Sequence, residues 1–458
     1  MTKQLNLFVS FVVAAAGCAD LSSPDGGEPE HGRSLAPAAR AAQDWRSEIV
    51  AAPPAQLPAE PCGTDCPADD PDPVEPEIPD SFTTDYCDEV SYLGVEWLEH
   101  QTDHFAFQFL PGTQAEAQID EVAARDEAYF DILARSLGVT SEPSFTVHLS
   151  PNRVAATAHR LGRGAFYPAQ MRIDVVHTGF AESFEMTQYG HELTHAVSDQ
   201  LFEGEQRPLR IFDEGFAELL DGSGRDLHQA FAHRLLAHGA PPAVPTDFTS
   251  SDILGQDYGR AGSLVQHLVE RFGFATFVDI FAGSAGSWSG GCFYDPQLGC
   301  IDTVEAIEAA VAGNVEAVTG VAWKTVAADW TEKVGAALVQ AARAPIPVDD
   351  RAQVTGLLAV MDRAIEEGDA DTYRSVMEGF YCDWGGESMR TDIAARMVDS
   401  FATSTTTIDA IHPVGTRNYP EMIALATQVT DEGPRSIEIY LEKIGGFGWR
   451  ISWIDDWR

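Results

Sequence analysis

The chain has 458 residues, of which 44% are hydrophobic and nine are Trp, enough for two or three folded units and too much for a mainly disordered chain. Its 71 Asp and Glu against 29 Lys and Arg give a net charge of −42, which excludes binding to nucleic acid or to an anionic membrane through a basic face. Only Lys3, Lys324, Lys333 and Lys443 are lysines; an acid-rich, lysine-poor surface suits salty surroundings, and a G+C-rich genome would also favour Arg, so both readings stay open.

The first element is "MTKQLNLFVSFVVAAAGC". Lys3 precedes an apolar run from Leu5 to Ala16, too short to span a bilayer, and small residues lead to Cys18. Residues 1–17 read as a secretion signal. The ending "AAGC" resembles a bacterial lipobox, although Ala15 stands where Leu is usual. The resemblance implies that Cys18 is acylated and anchors the protein to an outer membrane; the alternative is a plain signal cut after the alanines. Residues 19–80 then hold 12 of the 26 prolines and 14 acidic side chains. Such a composition cannot bury enough apolar surface to offset the entropy of ordering, so 18–84 reads as an extended acidic tether. Six cysteines remain, an even number that suits an oxidising compartment. Cys292 and Cys300 bracket the turn-rich "FYDPQLG" and form the best candidate disulfide. Cys62 and Cys66 are close enough to pair, and Cys87 with Cys382 follows only by elimination. None has zinc-ribbon spacing.

The folded part starts near Asp85. Phe105, Phe107 and Phe109 alternate with small or polar residues, a strand signal. Ile119, Val122, Phe130, Leu133 and Leu137 recur at helical spacing. "SFTVHLS" reads as a second strand, Arg153 to Leu161 as a helix, and "MRIDVVH", 171–177, as a third strand. A helix over about 181–202 follows. Strands first and then mostly helices predict an α+β domain over residues 85–343. Pro345 and Pro347 mark a linker at 344–350. Beyond it, over 351–458, helical sequence broken at Gly368 gives way to four strand-like runs, "TTTIDAIHPV", "EMIALATQV", "SIEIYLEKI" and "GWRISWID". Helices followed by an antiparallel sheet, with "AIEEGDADTYRSVM" as the helical hairpin, resemble the NTF2-like (SnoaL-like) α+β cone.

The chemistry lies in "YGHELTHAVSDQLF", 189–202. On a helix, residues four apart differ by about 40° around the axis, so His191 and His195 share one face and two imidazoles there can hold one metal ion. Glu192 lies about 100° round, beside the metal, where a base must sit. Two spaced histidines on an amphipathic helix would show the same pattern by chance, so a third ligand decides. "RIFDEGFAELL" offers Glu214 near the start of a second helix and Glu218 one turn on. A metal-binding Glu followed by a carboxylate that holds a ligand would explain the pair. A solvated face would not explain acids interrupting Ile211, Phe212, Phe216, Leu219 and Leu220.

HExxH-x18-E with "DEGFAE" resembles the gluzincin metallopeptidases, particularly the aminopeptidase-N-like branch and the wider peptidase MA-like group, and "HELTHAVSD" is close to the thermolysin-family helix. The resemblance covers about residues 90–340, including "DYGRAGSLVQHLVERFG" and "VTGVAWKTVAADWTEKV" as the following helices. It implies one Zn2+ held by His191, His195 and Glu214, Glu192 as general base on zinc-bound water, and hydrolysis of a peptide or protein substrate. Tyr258 is the phenol expected to stabilise the oxyanion, against the alternative of a core tyrosine. Residues 171–177 stand where gluzincins place an edge strand that pairs with substrate. No GxMEN-type motif precedes the helix; "GRGAFYPAQ" stands there, and the long C-terminal helical domain of the thermolysin family is also missing, so neither specificity is implied. The competing reading is a catalytically idle peptide- or metal-binding envelope lipoprotein on a peptidase scaffold, reaching the membrane only through Cys18 and binding no nucleic acid.

Overall fold

The computed structural model describes residues 94–151, 155–156, 159–162, 164–177, 184–202, 204, 206–221, 226–237, 248, 257–289, 292–295, 299–342, 348–377, 394–413, 421–444 and 448–456. The signal segment with Cys18, the acidic tether, Cys62, Cys66, Cys87 and Cys382 lie outside these residues, as do 153, 154, 157 and 158 of the helix expected over 153–161. The architecture is α+β.

Five strands form the first sheet: β1 (Leu98–Gln101), β2 (Phe105–Phe109), β3 (Phe145–Ser150), β4 (Gly164–Tyr167) and β5 (Arg172–Val176), in the order β1-β2-β3-β5-β4. β2, β3 and β5 run parallel, and β1 and β4 are antiparallel additions at the two rims. The alternation in "FAFQF" buries Phe105, Phe107 and Phe109, which meet Phe145, Val147 and Leu149 of β3 in one apolar core. A parallel step needs a crossover, and α1 (Gln114–Leu137) supplies it. The Thr113 hydroxyl accepts the Glu116 N–H at its start, and Gly138, at φ 71°, ends it in the left-handed conformation.

The sequence placed the sheet rim at residues 171–177, and the structure corrects this. β5 has β3 on one side and β4 on the other; the rim is β4, four residues of "GAFY" folded back through a turn at Pro168–Gln170 with Met171 at φ 48°. A buried carboxylate holds the turn. Asp174 accepts the Gly162 N–H at 2.8 Å and lies 3.0 Å from His148 Nδ1 and 3.1 Å from Arg172 Nε. The Arg172 guanidinium in turn sits over the Tyr167 ring.

Helices then cover the sheet and extend beyond it: α2 (Phe184–Ser198), α3 (Arg210–Leu219), α4 (Leu227–Ala237), α5 (Tyr258–Phe272), α6 (Phe274–Gly283), α7 (Val304–Thr319) and α8 (Trp323–Ala341). α3 buries Ile211, Phe212 and Phe216, the last against Phe274, Phe277 and Phe281. It crosses α5 at Gly215, where a Cβ would stand 2.3 Å from the Ala261 carbonyl oxygen, so only glycine permits this approach. A second small sheet, not expected from the sequence, is made of β6 (Gln206–Arg207), β7 (Gly286–Ser289), β8 (Cys292–Asp295) and β9 (Gly299–Ile301). Cys300 is disulfide-bonded, and its strand pairs with the one that carries Cys292.

A separate apolar core serves the C-terminal residues. α9 (Val348–Glu367) stops at Gly368, φ 68°, and α10 (Ala370–Val376) restarts on an Asp369 cap that accepts the Asp371 and Thr372 N–H groups. β10 (Ser404–Pro413), β11 (Glu421–Thr430), β12 (Gly433–Ile444) and β13 (Gly448–Asp456) form an antiparallel meander. Val354, Leu358, Met361 and Ile365 of α9 pack on Ile437, Ile439, Leu441 and Ile451. Among the described residues no helix is long and apolar enough to cross a membrane.

Candidate metal centre

α2 and α3 bring the sequence-derived residues to one point. His191 and His195 lie one turn apart on α2, their rings edge-to-face with centroids 4.8 Å apart. Their Nε2 atoms are 3.1 Å from each other, and Glu214 Oε2 on α3 stands 3.2 Å from His191 Nε2 and 3.3 Å from His195 Nε2. Three ligands of a tetrahedral zinc at ordinary bond lengths are about 3.3 Å apart, so the donor set fits one ion without rearrangement. Among the described residues this is the one group of three His, Cys, Asp or Glu side chains that converges closely enough to hold a metal.

The far sides of the imidazoles are also occupied. Asp213 Oδ1 lies 2.9 Å from His195 Nδ1, and Glu218 Oε1 lies 3.3 Å from His191 Nδ1. A carboxylate on Nδ1 fixes the ring orientation and leaves the Nε2 lone pair for a metal. Glu218 was singled out in the sequence; Asp213 was not, although it sits inside the same "DEGFAE". Adjacent helical residues diverge by about 100°, so nothing short of the crossing of α2 and α3 says which imidazole Asp213 meets. Arg210, four residues before Glu214, was also missed. Its Nη2 lies 2.9 Å from Glu214 Oε1, so the two carboxylate oxygens divide between arginine and histidines. The i,i+4 spacing of Arg and Glu was the available signal.

Glu192 is buried beside the pair, and the backbone N–H of Phe166 on β4 donates to its carboxylate. β4 is an outer strand of its sheet, and its Phe166 reaches the base. Burial raises the Glu192 pKa above the ordinary glutamate value, with Glu214 adding and the two imidazoles opposing. Glu214 moves the other way: burial is outweighed by His195, His191 and Arg210, which hold it well below the usual carboxylate range. Tyr258 opens α5 next to its Asp257 cap, and its ring meets His191 edge-on at 5.9 Å. Partial burial and then the Glu214 charge raise the phenol pKa, so the hydroxyl stays a donor.

No family model and no curated protein matches this sequence. The centre is therefore read from its own geometry: a His-His-Glu group able to hold a metal ion, with a buried carboxylate beside it.

Protons compete with the metal here. Burial alone would lower the His195 pKa, but Asp213 and Glu214 raise it well above the ordinary histidine value in the metal-free protein. That proton stabilises the metal-free fold below the unfolded histidine pKa, and its contribution is lost as pH rises through the raised folded value. Metal binding must release it. Zinc affinity, measured by competition with a chromophoric chelator, is expected to rise by roughly tenfold per pH unit for one proton released, and to keep rising above the pH at which an ordinary histidine is neutral.

Proposed function

We propose that this chain is a gluzincin-type zinc metallopeptidase that hydrolyses peptide bonds. The observation that carries the reading is the convergence of the His191, His195 and Glu214 ligand atoms within 3.1–3.3 Å of one another beside buried Glu192. Zinc, when bound, would acidify a water molecule and polarise the scissile carbonyl. Glu192 accepts the proton of the attacking water and passes it to the leaving amine, and its raised pKa suits both halves of that transfer. Asp213 and Glu218 keep the imidazoles in register. Tyr258, 38% exposed, is placed to donate to the substrate oxygen as it gains charge.

The rim of β4 supports a peptide as substrate. The strand lies at the edge of the sheet and carries Phe166 next to Glu192, so an extended chain can add itself there as a further strand beside the centre. This transfers to residues 164–167 the role expected of 171–177.

The remaining parts of the proposal rest on sequence pattern. Residues 1–17 and Cys18 make it a lipid-anchored protein of a bacterial envelope. The sequence resemblance makes an NTF2-like domain of the C-terminal part, and an α+β arrangement of a helix pair and an antiparallel meander is compatible with it.

The full mature chain is expected to hold one zinc per molecule and to cleave members of a broad peptide library. Chelation should stop cleavage and zinc should restore it. Zinc bound at one per chain with no library member cleaved would sink the hydrolase reading and favour the idle binding scaffold.

A further inference from the structure

The side chains around the centre fall into two groups by exposure. His191 and His195 are 13% exposed and Glu214 5%, as befits groups that hold an ion. Arg210 and Tyr258 are the open ones, at 44% and 38%. They stand against two different ligands of the same centre: Arg210 pairs with Glu214 Oε1 and Tyr258 meets the ring of His191. Arg210 is the first residue of α3, and the backbone of that turn points its N–H groups towards the same end of the helix.

A guanidinium has five N–H donors. Glu214 Oε1 pairs with Nη2 alone, and among the described residues no other partner of Arg210 is within hydrogen-bonding distance. Through Glu214 the guanidinium stands next to the histidine pair, since the other oxygen of that carboxylate faces both Nε2 atoms. An arginine that served only to orient Glu214 could be buried with it; this side chain is 44% exposed where Glu214 is 5%.

Resting on the metallopeptidase reading, we propose that Arg210 contacts substrate directly, its unpaired donors taking the oxygen that bears negative charge in the tetrahedral intermediate, with Tyr258 donating from the other side. The step balances simply. Water oxygen bonds to the carbonyl carbon, the carbonyl π pair moves onto oxygen, and the water proton goes to Glu192. Arg210 and Tyr258 donate hydrogen bonds to that oxygen without losing a proton. A planar fork suits the task because one edge can stay on Glu214 while the other meets the substrate.

The test compares wild type, R210A and R210K, each loaded with Co2+ so that the visible spectrum reports occupancy. Each is titrated with N-acyl dipeptide phosphonates, which present a tetrahedral anion, and with the matching hydroxamates, which chelate the metal. R210A should keep one metal per chain and bind hydroxamates as wild type does, while its phosphonate affinity and its kcat on a cleaved peptide each fall by about 10²-fold with little change in KM. R210K should recover part of both, because it restores the charge without the fork. Equal weakening of phosphonates and hydroxamates would overturn the proposal. So would loss of metal in R210A that R210K repairs together with activity, which would make Arg210 a positioning residue for Glu214. Wild type that holds metal and binds neither probe would overturn the hydrolase reading and this proposal with it. Wild type that binds both, with R210A unchanged, would overturn this proposal alone.

Discussion

Glu192→Gln should keep a full complement of zinc and lower kcat by about 10²–10⁴-fold. The substitution is nearly isosteric and removes a charge that burial already disfavours, so the fold should tolerate it. The Phe166 N–H that now donates to the carboxylate can donate to the amide oxygen instead. Glutamine cannot accept the proton of the attacking water, and no other described carboxylate is free to do so: Glu214 faces the histidines and Arg210, and Asp213 and Glu218 back the imidazoles. Metal content and steady-state kinetics on one cleaved peptide check both halves. A variant that cleaves as fast as wild type would remove Glu192 from the mechanism.

Glu214→Ala should have the largest effect on the metal itself. Removing a carboxylate that only backs a ligand typically weakens binding by about 10–100-fold, and removing the ligand should exceed that. The expected order of zinc affinity is therefore wild type, then Asp213→Ala and Glu218→Ala, then Glu214→Ala. The loss is compounded because Arg210 would be left without its carboxylate next to two imidazoles, an arrangement that repels a cation. Isothermal titration or dialysis against buffered zinc gives the ranking. Retention of tight zinc binding in Glu214→Ala would remove it as the third ligand.

How much of this could be read from the sequence depended on the length of the pattern each element carries. Four-residue spacing within one helix has a fixed geometric meaning, so His191 and His195 were legible as a pair. Glu214 was legible because an acid interrupts an otherwise apolar helix start. The four C-terminal strands were legible because alternation such as Ile437, Ile439 and Leu441 persists over nine to twelve residues. β4 was not: four residues set between Gly162 and Pro168 look like a loop, and only the Asp174 contacts show what folds them onto β5. β6 to β9, two to four residues each, carry too short a pattern to separate from turns. Asp213 and Arg210 were in view throughout, but their meaning depends on a helix crossing that no local spacing encodes.

The crossing at Gly215 has a thermodynamic consequence. It joins the backbones of α3 and α5 so closely that Glu214 and Tyr258 belong to one solid piece, while His191, Glu192 and His195 belong to α2. An ion on the three ligands would therefore tie together two helices, α2 and α3, that already share one apolar core. Folding and metal supply become linked: at a free zinc level 100 times the dissociation constant the ion would add about 2.7 kcal/mol to stability. Withdrawal of zinc would then do more than silence the centre. It would loosen the seam between α2 and α3 and expose the chain to other proteases in its surroundings, so that the apo form is the one removed.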